Sequence, residues 1–245
     1  MACTLSPRSA FLKPPFPYRA EDTYPWRYNR ALSHVRRPLL LRKNDTEDEI
    51  LWGNRHLYRT ANFLVQLYLS GRAQVQSPEM RQLIGKILHR QGEKFNDQVA
   101  DMLAQNTDLI VLRRVKEVGG IKVPGDIDVL VADQRKRRLG VIECKDFVIA
   151  RTPNEMDTEL KKFFQGNGKK SAVQKVEERA AWVCENIAQI LVWLQVGNSA
   201  KIKQWKVKPS ILVSQELFTP YLKRSQIPVL SFEKLSRDPL QFLSH

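Results

Sequence analysis

Four ionisable residues sit inside two short apolar runs. Asp126 and Asp128 lie in Gly125-Asp126-Ile127-Asp128-Val129-Leu130-Val131, and Glu143 and Lys145 lie in Gly140-Val141-Ile142-Glu143-Cys144-Lys145. Both runs read as strands. The six residues from Asp133 to Arg138 between them are short and charged, as a hairpin turn should be. Side chains on a strand alternate between faces, so Asp126, Asp128 and Leu130 share one face and Ile127, Val129 and Val131 the other. Glu143 and Lys145 likewise share a face, opposed by Ile142 and Cys144. Hairpin pairing then brings Asp128, Glu143 and Lys145 together on one side of a sheet. There they sit among apolar residues, where a charge is costly unless it is paired or metal-bound.

Two carboxylates on adjacent strands make a hard oxygen site suited to Mg²⁺ or Mn²⁺, which keep several waters and also accept phosphate oxygens. A lysine beside them positions the attacking water and steadies charge growing on the phosphorus centre. A metal there polarises a phosphoryl group and generates hydroxide near neutral pH. The chemistry these residues point to is phosphodiester hydrolysis by a metal-activated water, with no covalent intermediate.

The elements that must position these groups are legible on either side. Thr46 and Glu49 have capping-box spacing, and Ile50, Leu51, Leu57, Leu64 and Tyr68 recur at helical intervals up to Ser70-Gly71. Ser77-Pro78-Glu79 predicts a second helix start. After Gln91-Gly92, a third amphipathic stretch runs from Glu93 to Gln105, with Phe95, Val99, Met102 and Leu103 inward. Leu109 to Val118 is rich in β-branched residues, and Gly119-Gly120 and Pro124-Gly125 bound the connection to the next strand. One long helix is predicted from about Ala172 to Val196. Ile211-Leu212-Val213 and Pro228-Val229-Leu230 supply two more short strands. The order predicts an α/β sandwich: a central mixed sheet flanked by helices, with a helical N-terminal extension. The division is a basic arm rich in proline and aromatic residues over 1–45, a helical extension over 46–90 and the sheet domain over 91–245.

The 245 residues carry 40 Lys and Arg against 26 Asp and Glu, a net charge of +14. The excess is uneven. Residues 1–45 hold nine basic and three acidic side chains, and residues 201–245 hold eight and three, whereas residues 91–146 hold ten of each. An acidic cluster within a basic chain is what a metal-dependent enzyme acting on phosphates needs, and the field favours a polyanionic partner. Cys3, Cys144 and Cys184 are too scattered for a disulfide framework or a cysteine zinc site. The four histidines lack metal-ligand spacing, and no P-loop or G-x-G-x-x-G is present. No apolar run approaches the roughly 18 residues of a membrane span. The start of the chain has no continuous apolar segment resembling a secretory signal. A cytoplasmic protein with no membrane partner is therefore expected.

With fourteen residues between Asp128 and Glu143-Cys144-Lys145, the pattern G-D-I-D-V-L-V … G-V-I-E-C-K resembles the PD-(D/E)xK nuclease superfamily. It is similar to the Mrr-like, Holliday-junction-resolvase-like and NERD-like branches of that restriction-endonuclease-like fold. The resemblance covers roughly Gln91 to Phe232. It implies that Asp128 and Glu143 bind the metal, that Lys145 is the catalytic lysine, and that the Cys144 backbone carbonyl is a further metal ligand. It also implies a glutamate from the preceding helix. Asn96 stands at that position here, with Glu93 and Asp97 as substitutes. The literal proline–aspartate pair is absent, Pro124 being displaced by Gly125.

Outside this cluster, Lys161 to Lys170 interleaves basic and aromatic residues with glycines, which suits a phosphate-clamping loop or an exposed linker alike. Lys169 and Lys170, with Lys175 and Arg179 four residues apart on the following helix, are the candidate nucleic-acid contacts. For Lys175 and Arg179 the alternative is a surface salt-bridge face with Glu177 and Glu178. Lys201, Lys203, Lys206 and Lys208 read either as a DNA-facing ribbon or as guards on an edge strand. Trp182, Ile187, Ile190, Leu191 and Leu194 read as core, and Cys144 as a buried small residue. The reading is thus an Mg²⁺- or Mn²⁺-dependent endonuclease acting on nucleic acid, DNA above all, as a homodimer or part of a larger complex. The alternative is a non-catalytic nucleic-acid-binding protein, or a subunit of a defence or repair assembly, that keeps the fold.

Overall fold

The computed structural model describes residues 38–42, 47–71, 75–147, 149–150, 153–166, 168–196, 199–223 and 225–243. Thr46 and all but 38–42 of the arm's proline-rich stretch fall outside them. The chain divides into two compact units, residues 1–88 and 89–245.

In the first unit, β1 (Leu40–Arg42) pairs antiparallel with β2 (Glu49–Leu51), Leu40 opposite Leu51. Glu49, Ile50 and Leu51 therefore form a strand, not the first turn of the predicted helix. Helix α1 (Asn54–Leu69) starts later, from Gly53. Helix α2 (Pro78–Ala104) begins as predicted, the Ser77 hydroxyl accepting from Met80 N at 3.3 Å with Pro78 in the first turn. It then continues through Gln91-Gly92, where the sequence predicted a break. A helical glycine costs only about 1 kcal/mol against alanine. Phe95, Val99, Ala100 and Leu103, all buried on the next three turns, outweigh it.

The second unit is an α/β sandwich. Five strands follow in the order β3-β4-β5-β6-β7: β3 (Leu109–Val118), β4 (Ile121–Asp133), β5 (Arg138–Lys145), β6 (Lys206–Val213) and β7 (Val229–Ser231). The first three are antiparallel, while β5, β6 and β7 run parallel. Helix α3 (Pro153–Leu160) and a π-helical turn (Lys161–Gln165) follow β5. Helices α4 (Ala172–Glu185) and α5 (Ile187–Trp193) then cross over to β6. The predicted long helix is thus two. Asn186 leaves helical geometry at φ −104° and ψ 16°, its side-chain amide donating to Trp182 O at 2.8 Å. A short 3₁₀ turn (Ser199–Gln204) precedes β6, so Lys201 and Lys203 are not on the strand that Lys206 begins. Helix α6 (Thr219–Leu222) and α7 (Phe232–Arg237) complete the fold.

Two cores sit on the two faces of the sheet. On one, Val176, Ala180 and Val183 of α4 and Ile190 and Leu191 of α5 pack with Leu130, Val141, Ile211 and Val213. On the other, Phe95, Val99 and Leu103 of α2 pack with Val129, Val131, Ile142, Leu212 and the C-terminal Phe242 and Leu243. Trp182, Ile187 and Leu194 pack against the first core, as read from sequence. Among the described residues, no helix is long and apolar enough to cross a membrane.

Candidate functional site

The hairpin of β4 and β5 pairs from Asp133 opposite Arg138 to Val129 opposite Ile142. Beyond that point a side chain takes over from the backbone ladder. The Cys144 amide donates to Asp128 Oδ2 at 2.8 Å, which ties the carboxylate across the strand gap beside Glu143. On the other flank of β4, Arg114 of β3 stands at the position opposite Asp128 but has φ +48° and drops out of the register. The kink changes sidedness. Val115 and Ile127 join the core that holds Leu130, although strict alternation placed Ile127 on the opposite face. Arg114 donates to Asp97 Oδ1 at 2.9 Å and reaches Glu93 Oε1 at 3.4 Å on α2.

On β5, Glu143 and Lys145 point to the face covered by α4, and Ile142 and Cys144 to the other, as the alternation predicts. The Glu143 side chain is 2% exposed. Burying a carboxylate there demands positive charge. Lys145 Nζ lies 2.5 Å from Glu143 Oε1, and Arg179 Nη1 of α4 donates to Glu143 Oε2. Both carboxylate oxygens are therefore held by cations. Arg179 belongs to the acidic cluster itself, rather than to an outer salt-bridge face. Its guanidinium lies against Gly125, where an added Cβ would meet Nη2 at 3.3 Å and where φ is +78°. Gly125 thus serves both a backbone turn and a close approach. Arg179 Nε is buried and, among the described residues, has no hydrogen-bond partner.

One helical turn earlier, Lys175 also faces the cluster. Burial pushes its amine down, and so do the charges of Lys145 and Lys169, while Asp128 opposes them. For Arg179 burial again lowers the value, against Asp128 and Asp126. Asp126 itself pairs with Lys116 at 3.8 Å. Burial pushes the Cys144 thiol well up, with the Asp128 charge adding to it and Lys145 opposing, so it stays a protonated, apolar side chain. Gln174, adjacent to Lys175, closes a capping box with Ser171 at the start of α4.

Of the residues singled out in the sequence, Asp128, Glu143, Lys145, Lys175 and Arg179 come together. Glu93 does not join them: it pairs with Arg114 and lies 3.5 Å from His89. Among the described residues, no three His, Cys, Asp or Glu side chains group as a metal site. Lys170 is bound to Glu178 at 2.7 Å, and Lys161 to Asp157 at 2.7 Å. Phe163 is fully buried within the π-helical turn and is not a free stacking ring, whereas Gly168, Lys169 and Lys170 at the end of the run are exposed and outside any helix. Sequence reasoning missed a second polar cluster, in which Glu216, Tyr221 and Lys234 meet where β6 ends. Eighteen residues separate Glu216 from Lys234, and no local spacing marks them as partners.

A family model described as an anti-phage protein, Upx-like, matches residues 2–214. No curated protein and no solved structure matches the chain.

Proposed function

Because the chain belongs to this Upx-like family of anti-phage proteins, we propose that it acts in phage defence as a metal-dependent endonuclease of the PD-(D/E)xK type that hydrolyses nucleic acid, DNA in the first instance. The observation that supports this reading most is the convergence of Asp128, Glu143 and Lys145 where β4 and β5 part, with Lys175 and Arg179 facing them from α4.

The donor set fits a hard divalent cation in its chemistry. Asp128, Glu143 and the Cys144 carbonyl are all oxygen ligands from neighbouring strands. Glu143 would have to exchange the Arg179 guanidinium for the ion, since Arg179 holds Oε2. When bound, Mg²⁺ or Mn²⁺ supplies Lewis acidity and a hydroxide near neutral pH. The chain's own groups do the rest. Lys145, 29% exposed, orients the attacking water and stabilises charge on the phosphoryl oxygens. Arg179, released from Glu143, and Lys175 take the flanking phosphates, Arg179 as a two-pronged donor. Burial around Glu143 lowers the local dielectric and strengthens each of these interactions.

Incubation of the purified chain with plasmid and linear DNA, in Mg²⁺, Mn²⁺ or EDTA, tests the reading. Nicking that needs the metal and disappears in Asp128→Asn, Glu143→Gln and Lys145→Ala is expected. Cleavage retained by Glu143→Gln contradicts it. A second reading draws on the occupied state of Glu143, whose two oxygens are both ion-paired. In that reading the protein binds nucleic acid, alone or within a defence complex, without cutting it. Binding with no metal-dependent cleavage selects it.

A further inference from the structure

The polar cluster at the end of β6 borders a cavity of about 220 Å³, lined by Val213, Glu216, Leu217, Tyr221, Ile227 and Lys234 among others. This is smaller than the roughly 300–1,000 Å³ of pockets for drug-sized ligands, so the occupant is a single small ring system. The cavity adjoins the candidate site through the sheet. Val213 is the register partner of Lys145, and Ser214 N donates to Lys145 O at 3.2 Å. Two further residues reach Glu216, a backbone span of at most ~7 Å from Ser214.

Tyr221 is the informative residue. It is 67% exposed, yet its ring is pinned. Its hydroxyl donates to Glu216 Oε1 at 2.5 Å and accepts from Lys234 Nζ at 2.7 Å, and Nζ also sits 5.4 Å from the ring centroid. Glu216 accepts from Lys234 at 2.7 Å, which closes the triangle. Phe218 and Leu222 beside it are 61% and 60% exposed. Nearby in sequence, Lys223 Nζ lies 5.2 Å from the Phe164 ring centroid. An exposed aromatic ring held through its hydroxyl by two hydrogen bonds has already lost part of the rotamer freedom that binding would otherwise cost. Flat exposed rings among lysines are the elements with which proteins hold unpaired bases.

We propose that this cavity binds one unpaired nucleobase on the Lys145 side of the sheet end, stacked on Tyr221 and bordered by Pro220 and Ile227. This rests on the nucleic-acid reading above and narrows its substrate class to single strands, flaps or ends with unpaired bases. Blunt duplex has no free base to offer.

Fluorescence anisotropy with the full chain in EDTA tests it without any need for cleavage, using a labelled single strand and a blunt duplex. Tyr221→Ala should weaken single-strand binding by roughly 5- to 150-fold, the range expected for one stacked base. It should leave duplex binding unchanged. Tyr221→Phe keeps the stacking ring but loses the hydroxyl contacts that pin it, so it should weaken single-strand binding by less than Tyr221→Ala. Circular dichroism should show both variants folded, as expected at an exposed position. Unchanged single-strand binding by Tyr221→Ala overturns the base pocket and leaves the nuclease reading standing. Equal weakening by Tyr221→Phe overturns stacking as the source of the effect. Failure of the unmodified protein to bind any nucleic acid overturns the pocket together with the reading beneath it.

Discussion

Arg179→Gln probes the structure where its electrostatics are most demanding. The substitution leaves Glu143, 2% exposed, paired with Lys145, and Arg179 itself is only 12% exposed. Solvent screening is therefore weak, and the small values of surface pairs do not apply. Removing one partner of a buried pair costs about 3–5 kcal/mol. Because Lys145 still neutralises one oxygen, the lower end, about 3 kcal/mol, is expected. Urea denaturation in EDTA, followed by tryptophan fluorescence with the buried Trp205 as reporter, measures this. Two further arms sharpen it. Glu143→Gln with Arg179→Gln removes both charges and should restore most of the lost stability, since a neutral pair needs no counter-charge. Mn²⁺ at about a hundred times its Kd should return about 2.7 kcal/mol to Arg179→Gln. It should return less to the unmodified chain, where the ion has to displace the guanidinium. A variant as stable as its parent in EDTA refutes the electrostatic argument. Equal stabilisation of both proteins by Mn²⁺ refutes the competition between Arg179 and the cation.

Three more outcomes follow from the same geometry. Gly125→Ala places a Cβ 3.3 Å from Arg179 Nη2 on a backbone at φ +78°, and should cost about 1–3 kcal/mol in the same denaturation assay. Native-state alkylation with peptide mapping should label the exposed Cys184 and spare the buried Cys144, whose thiol is held well up by burial and Asp128; rapid labelling of Cys144 would show the site open. Burial pushes the Glu216 carboxyl up, but hydrogen bonds from Lys234, Ser231 and Tyr221 and the Lys234 charge outweigh it and hold the group at about 2. Its contribution is present above the ordinary 4.5 and is lost as pH falls toward 2, while that of Lys234, raised by Glu216 and Tyr221, is present below 10.5 and lost at more alkaline pH. The cluster is largely exposed, so the effect is below about 1 kcal/mol, and Glu216→Gln should flatten the acid limb of the stability–pH curve.

The part of the site carried by β4 and β5 was legible because alternation on a strand is a two-residue rule, and because a hairpin turn separates the two runs. Glu143, Lys145, Ile142 and Cys144 fall on the faces that rule assigns. It failed at Ile127, where Arg114 adopts φ +48°. Arginine carries no signal for a left-handed backbone, so the kink was invisible in the sequence. The same kink turns Arg114 toward Glu93 and Asp97, the two residues offered as accessory ligands. Arg179 was singled out for nucleic acid, yet its partner Glu143 lies thirty-six residues away and only the fold brings them together. Helix boundaries failed for local reasons of a different kind. Gly92 was overridden by the buried face of α2, whereas Asn186 broke a pattern whose apolar periodicity ran straight through it. The pinned Tyr221 rests on side-chain contacts between three elements, which no spacing encodes.

The central claim is that Asp128 and Glu143 share one divalent cation beside Lys145. Anomalous diffraction from crystals grown with Mn²⁺ and a short oligonucleotide measures this directly. A manganese peak bonded to both carboxylates, with Arg179 moved off Glu143 and onto a phosphate, is the predicted result. Crystals with the nucleic acid in place, no metal between the two carboxylates and Arg179 still on Glu143 would contradict it.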